Sequence, residues 1–403
     1  MKIRKAIHRI KLIAPFCLAI YLTACNTIDN ENKTVIQDFD QSLSRVEQLT
    51  FDTSVSGLKL SQYVKKINYI PLRNINDAFI GEISKIESDS NVICVLDRRY
   101  SKAVFVFNKN GDLLFKKKAN SEDLIGVDKI SDITIDKFNQ RVVVFANEEQ
   151  KIISFDLKSG KLAGVTKLND FFTKVRLVDK DHYMVLRDGL ARYKGVSGEF
   201  RVCVIHFNGQ VINKYFNSAL NTKTNVGAFY ASDISNGRII LSRMLSDTLW
   251  EFRNNNILPV ASLPNNFINT SFLRSATTKN EADSAIVATE SHYISSDIFE
   301  TDSIITFQIK GDNSINILIW NKTNGKKFLH KYVINDIDYV PLSMPIFWDN
   351  RNITSVISIP MLQQYYSLVQ RSNPNDKSLV NVKAIIDQFK DQTNPIVVEL
   401  LVK

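Results

Sequence analysis

The chain has little of what usually announces chemistry. Its four cysteines, Cys17, Cys25, Cys94 and Cys203, include no CxxC pair, so the common zinc frameworks are excluded. Its five histidines, His8, His182, His206, His292 and His330, form no HExxH motif. A GxSxG elbow, a phosphate-binding P-loop and a dinucleotide fingerprint are all missing. Asp132–Asn139 holds scattered oxygen ligands without the spacing of a calcium loop. Linear motifs therefore name no catalytic residue, metal or cofactor. An apolar run of bilayer-spanning length is lacking too, since Leu12–Leu22 falls well short of ~20 residues.

A clustered basic face is also absent. The formal net charge of +9 includes Lys2, Arg4, Lys5, Arg9 and Lys11, in a leader with no acid before residue 25. Without them only a mild excess remains. The one local run, Lys116–Lys118, reads as a solvated strand end, so nucleic acid is not an expected partner. Wholesale disorder is not expected either, because 44% hydrophobic residues suffice for a large core. Phe at 24 and Tyr at 13 suit strands.

What is present begins with the leader. A basic segment to Lys11, the apolar Leu12–Leu22 and a short uncharged run ending at Cys25 have the order of a secretory signal. Leu22-Thr23-Ala24-Cys25 resembles the lipobox of bacterial lipoproteins. That resemblance implies cleavage before Cys25 and acylation of Cys25, giving a membrane anchor of several chains. Asn26 is not the aspartate of inner-membrane retention, and the polar Asp29–Lys33 points to the outer membrane, on its periplasmic or surface side. The expected organisation is a signal peptide over 1–24, a flexible tether over 25–48 and one folded unit over 49–403.

That unit repeats a four-strand phrase. Its clearest copy has strands at Ile83–Glu87, Val92–Leu96, Ala103–Phe107 and Leu113–Lys117. Turn glycines Gly111, Gly160 and Gly209 recur 49 residues apart, a propeller-blade period. Later copies start at Ile130, Thr173, near Ala228 and at His292. Blade five is expected to open on a continuous strand Tyr293–Phe299, and blade four on Phe229–Ile234. The sixth copy is irregular, with strands Met344–Trp348 and Thr354–Ser358, helical spacing over 361–370 and 378–389, and a last strand Ile396–Val402. A ring must close to remove its edges, so Ile67–Leu72 is expected beside Ile396–Val402. The fold class is all-β: a six-bladed propeller of four-stranded antiparallel blades, its last blade shared by both chain ends, with short helices near the C-terminus. Cys94 and Cys203 fall inside strands of different blades and read as buried small hydrophobes.

The phrases YIPL (Tyr69–Leu72), IGEISKI (Ile80–Ile86), VICVLD (Val92–Asp97) and NGDLLF (Asn110–Phe115) resemble the six-bladed β-propeller lipoproteins common in gut-type Gram-negative bacteria, which are distantly similar to NHL-repeat propellers. DTLWEF, SVISIPML and NPIVVELLV extend the resemblance to the C-terminus. Where such relatives carry a Gly-rich loop after blade one, this chain reads ANSEDLIGVDK with Gly126 alone.

Propeller ligands sit at one end of the central channel. If second-to-third-strand loops share a face with inter-blade loops, that mouth gathers Arg98, Arg99 and Tyr100, Glu148 and Glu149, Arg187 and Asp188, and Arg243 and Asp247. Guanidiniums alternating with carboxylates could hold a peptide or sugar acid. The expected function is a membrane-anchored extracytoplasmic module for an unknown protein, peptide or glycan ligand. The alternative is a propeller enzyme of hydrolase, lactonase or lyase type. No cofactor is expected.

Overall fold

Strands buried on both faces read as continuous apolar runs, and VICVLD is one. Val92–Asp97 is buried throughout, paired with Lys85–Ser88 on one side and Ala103–Asn108 on the other, with Leu113–Lys118 outermost. This is blade one of the computed structural model, which describes residues 46–51, 57–73, 79–187, 200–217, 228–243, 246–263, 292–311, 314–348 and 352–403. Blades two, three and four repeat the order, with first strands Asp132–Asp136, Lys174–Leu177 and Phe229–Ala231. Blade five is centred on Ile304–Gly311 and Ser314–Asn321.

Blade six closes the ring as expected. Ile396–Val402 pairs with Asn352–Ile357 on one side and with Val64–Pro71 on the other, Val397 opposite Ile70. Between its second and third strands lie helices α1 (Ile359–Ser372) and α2 (Ser378–Gln388). The Ser358 hydroxyl accepts from Met361 N at 3.4 Å and Pro360 sits in the first turn, which sets where α1 starts.

The core follows from strand alternation. Val92, Cys94 and Leu96 pack toward blade two, while Ile93 and Val95 pack toward blade six. Six apolar clusters result, one between each adjacent pair of blades around the ring. Each fully buried Val, Ile or Phe is worth ~1.5–3 kcal/mol of transfer free energy. Cys94 and Cys203 are buried, unpaired members of these clusters in blades one and three. The turn glycines Gly111, Gly160 and Gly209 all have positive φ.

Three features differ from the sequence reading. Glu47–Gln48, inside the segment assigned to the tether, pairs in parallel with the outer strand Asn256–Ser262 of blade four, and Leu58–Lys59 pairs with Val333–Ile334. Residues 25–45 of that tether, Cys25 among them, and the leader lie outside the described residues. The first strand of blade five is broken into Tyr293–Ile294 and Phe299–Glu300, and that of blade four stops at Ala231. The cause is the same in both. A serine hydroxyl takes the place of a ladder carbonyl: Ser232 Oγ accepts from Ile240 N, and Ser296 Oγ from Gln308 N, both at 2.9 Å.

Candidate functional site

A hydroxyl–charge–β-branched triplet lies at one end of, or within a break in, the first strand of five of the six blades. It reads Ser84-Lys85-Ile86, Ser131-Asp132-Ile133, Thr173-Lys174-Val175, Ser232-Asp233-Ile234 and Ser296-Asp297-Ile298. Blade six has Ser343-Met344-Pro345 at this point. The hydroxyl ties each triplet to its own blade: Ser131 Oγ donates to Phe145 O at 2.9 Å, Thr173 Oγ1 donates to Leu186 O at 3.2 Å, and Ser84 Oγ accepts from Arg98 N at 3.2 Å. The charged residue is thereby fixed at the channel mouth, while Ile86, Ile133 and Val175 turn into the clusters between blades.

These charges surround a cavity of about 340 Å³. Its lining includes all five triplet charges, Lys85, Asp132, Lys174, Asp233 and Asp297, with Glu87 and Arg176 two residues further along blades one and three. Arg176 is the hub. Its Nη1 lies 3.0 Å from Asp132 Oδ2, its Nη2 lies 2.7 Å from Asp297 Oδ2, and its Nε lies 3.8 Å from Asp233. Lys85 Nζ bridges Glu87 at 2.7 Å and Asp132 at 2.8 Å. Lys174 Nζ stands 3.4 Å from Asp297, donates to Phe229 O at 2.8 Å and lies 4.6 Å from the centre of the Tyr230 ring.

Three cations thus face four carboxyl groups. Burial works against the charge on Arg176, but Asp297, Asp132, Asp233 and Glu87 raise its pKa further above the ordinary value. Burial would also raise Asp297, yet Lys174, Arg176 and Lys85 hold it well below the carboxylate range, and Asp132 is lowered likewise by Lys85 and Arg176. Glu87 goes the other way. Burial, then the charge of Asp233, pushes it up to about 8 against Lys85 and Arg176. Burial raises Asp233 as well. The surplus carboxyl is therefore the one that holds a proton near neutrality. Among the described residues, no three His, Cys, Asp or Glu side chains are placed to hold a metal ion.

The rim comes from second-to-third-strand turns and inter-blade loops, which do share this face: Arg98, Lys129, Ser131, Asn147 and Thr173 line the cavity together. Of the loop residues singled out in the sequence, Arg98 lines it. Arg99 lies 3.8 Å from Glu82 and 5.5 Å from the ring centre of Tyr100, which is exposed. Glu148 is exposed, and Glu149 accepts from Asp128 N at 2.8 Å. Arg187 is buried under blade three, donating to Phe171 O at 2.7 Å and paired with Asp170. Asp247 accepts from the Thr248 hydroxyl at 2.9 Å, Arg243 ends the second strand of blade four, and Asp188 lies outside the described residues. The inner-strand charges were missed because a polar residue alternating with an apolar one normally faces solvent. On the innermost strand of a wheel both faces meet neighbouring blades.

Residues 46–400 match the model of a family described as a domain of unknown function, DUF4934. The chain belongs to that family. No curated protein matches the sequence. Among solved structures, the DUF4934 chain is similar to a Bacteroides fragilis protein whose name describes it as exported, with TM-score 0.65 and 12% identity over 89% of this chain and 99% of that one. A duf4221 family member from Bacteroides vulgatus matches with TM-score 0.48 and 10% identity over 84% and 97%. At 12% identity the likeness to the Bacteroides fragilis protein is one of fold. No helix among the described residues is long and apolar enough to cross a membrane.

Proposed function

We propose that the protein is a lipid-anchored, extracytoplasmic, NHL-like propeller that binds a small polar ligand, or the end of a peptide or glycan, in the channel-mouth cavity. One observation carries the binding half. Seven ionisable side chains crowd around about 340 Å³ of open space. Buried ion pairs seldom add net stability over apolar packing, and apolar replacements are often neutral or better. A charged ring kept at a channel mouth is therefore better explained by what it holds than by the fold it sits in. The leader, the lipobox-like tetrad at Cys25 and the exported description of the Bacteroides fragilis neighbour support the location, with the outer membrane as the membrane.

The test has two arms. Molecules retained by the purified protein, released by denaturation and identified by mass spectrometry, should disappear in Arg98→Ala and Asp297→Asn. A retained molecule that survives both changes rules out this cavity. In the second arm, Cys25→Ser should move the protein from the membrane to the soluble fraction, and continued membrane partition would remove the anchor. Catalysis in the same cavity is the second reading, favoured by Glu87 beside Asp132: one carboxyl poised to give a proton, the other held ionised. Turnover that survives Glu87→Gln removes Glu87 as the acid.

A further inference from the structure

The charge around the cavity is layered. On the floor, Lys85, Lys174 and Arg176 are each matched to carboxylates within 3.4 Å. At the rim, Arg98 and Lys129 are exposed cavity-lining cations, and among the described residues neither has a carboxylate partner. With the floor neutralised from within, the unspent charge is positive and lies at the entrance. An anionic group is what that entrance attracts.

The floor has a different demand. It presents carboxylate acceptors, lysine and arginine donors and the hydroxyls of Ser84, Ser131, Thr173 and Ser296, and among the described residues no aromatic side chain lines the cavity. A nucleobase or aromatic acid would find no stacking surface there. Asn147 lines the same space and adds a side-chain amide to these groups. Groups that both donate and accept, such as sugar hydroxyls, answer donors and acceptors side by side. A bare inorganic anion would satisfy the rim and leave the floor's donors and acceptors unanswered. The volume, about 340 Å³, is roughly ten waters at ~30 Å³ each, room for a monosaccharide with some solvent.

We propose that the cavity takes a polyhydroxylated carboxylic acid of the hexuronate class, its carboxylate on Arg98 and Lys129 and its hydroxyls against Asn147 and the charged floor. This rests on the ligand-binding reading above and narrows it. The Glu87 carboxyl, protonated near neutrality, adds one donor to the floor.

Isothermal titration of the purified full chain with glucuronate, galacturonate, glucose and acetate tests the class. A hexuronate should bind at least about tenfold more tightly than glucose and acetate, since one charge-assisted hydrogen bond carries about that factor. Arg98→Ala and Lys129→Ala should each weaken the hexuronate about tenfold and leave glucose unchanged. Both sites are exposed, so the melting temperature should stay put, and added salt should weaken the hexuronate alone. Glucose binding as tightly as either hexuronate overturns the acid while leaving the site intact. Acetate binding as tightly overturns the sugar. Binding of no hexuronate overturns the class, and the broader reading then stands or falls on the retained-molecule experiment.

Discussion

Arg176 of blade three meets Asp297 of blade five at 2.7 Å, reaching past blade four at the channel mouth. The same guanidinium holds Asp132 of blade two. One side chain therefore ties together the inner strands of non-adjacent blades, and only a planar fork can serve both partners at once. Arg176→Leu should cost about 3–5 kcal/mol, because it strands buried carboxylates without a counter-charge. Arg176→Lys should fall between, keeping charge but losing one partner. Urea unfolding midpoints measure both, and a wild-type midpoint in Arg176→Leu would show the hub to be energetically idle.

The ring is closed by the last strand. Removing Ile396–Lys403 deletes Ile396, Val397, Val398 and Leu400 from the clusters beside blades five and one, and leaves Asn352–Ile357 and Val64–Pro71 without the strand between them. It also removes Glu399, which is paired with Lys109 and accepts from Ser88 Oγ at 3.1 Å. The shortened chain should aggregate through its open edges. Size-exclusion chromatography decides it, and a folded monomer would be the contrary result.

The wheel was legible because its middle strands are apolar runs punctuated by glycine turns. VICVLD and NGDLLF mark blade one within a residue or so, and Ile396–Val402 matched its observed bounds. The breaks at Ser232 and Ser296 were not legible, since a hydroxyl replacing a ladder acceptor leaves no gap in a β-rich pattern. The parallel pairing of Glu47–Gln48 was also hidden, because two residues carry no period. Arg98 was reached by reasoning about which loops share a face. Lys85, Asp132, Lys174, Asp233 and Asp297 were not, although the triplet repeats in plain view. The glycine turns that mark the repeat lie at the outer edge of each blade, whereas the charges recur at the inner edge.

Gly111 shows how tightly the seam beside blade one is built. Its φ is +81°, a Cβ there would sit 1.9 Å from Pro71 O, and its own carbonyl accepts from Arg73 N at 2.9 Å. Gly126 has φ of +68° with nothing within 4 Å of a Cβ. Alanine at Gly126 should cost only the left-handed backbone penalty, ~1–2 kcal/mol. Alanine at Gly111 should cost more than that, since Pro71 belongs to Val64–Pro71, the outer strand of blade six, and backbone must move. Thermal melts of the two variants give the comparison. Equal losses would mean that the seam yields easily.

Glu87 makes stability depend on pH in a direction opposite to that of Asp132 and Asp297. Its pKa is raised from 4.5 to about 8, so the native state holds a proton that the unfolded chain has released. That contribution is complete below the unfolded value and is lost as pH rises through about 8. Asp233 is raised too and acts in the same sense. Asp132 and Asp297 are lowered, so their contributions hold above the usual carboxylate range and vanish in acid. The protein should therefore lose melting temperature between one unit below and one unit above about 8. Glu87→Gln, uncharged at every pH, should flatten most of that slope. A wild-type melting temperature that is level or climbing across this window would mean that Glu87 is ionised in the native ring, and that a cation outside the ring matches its charge.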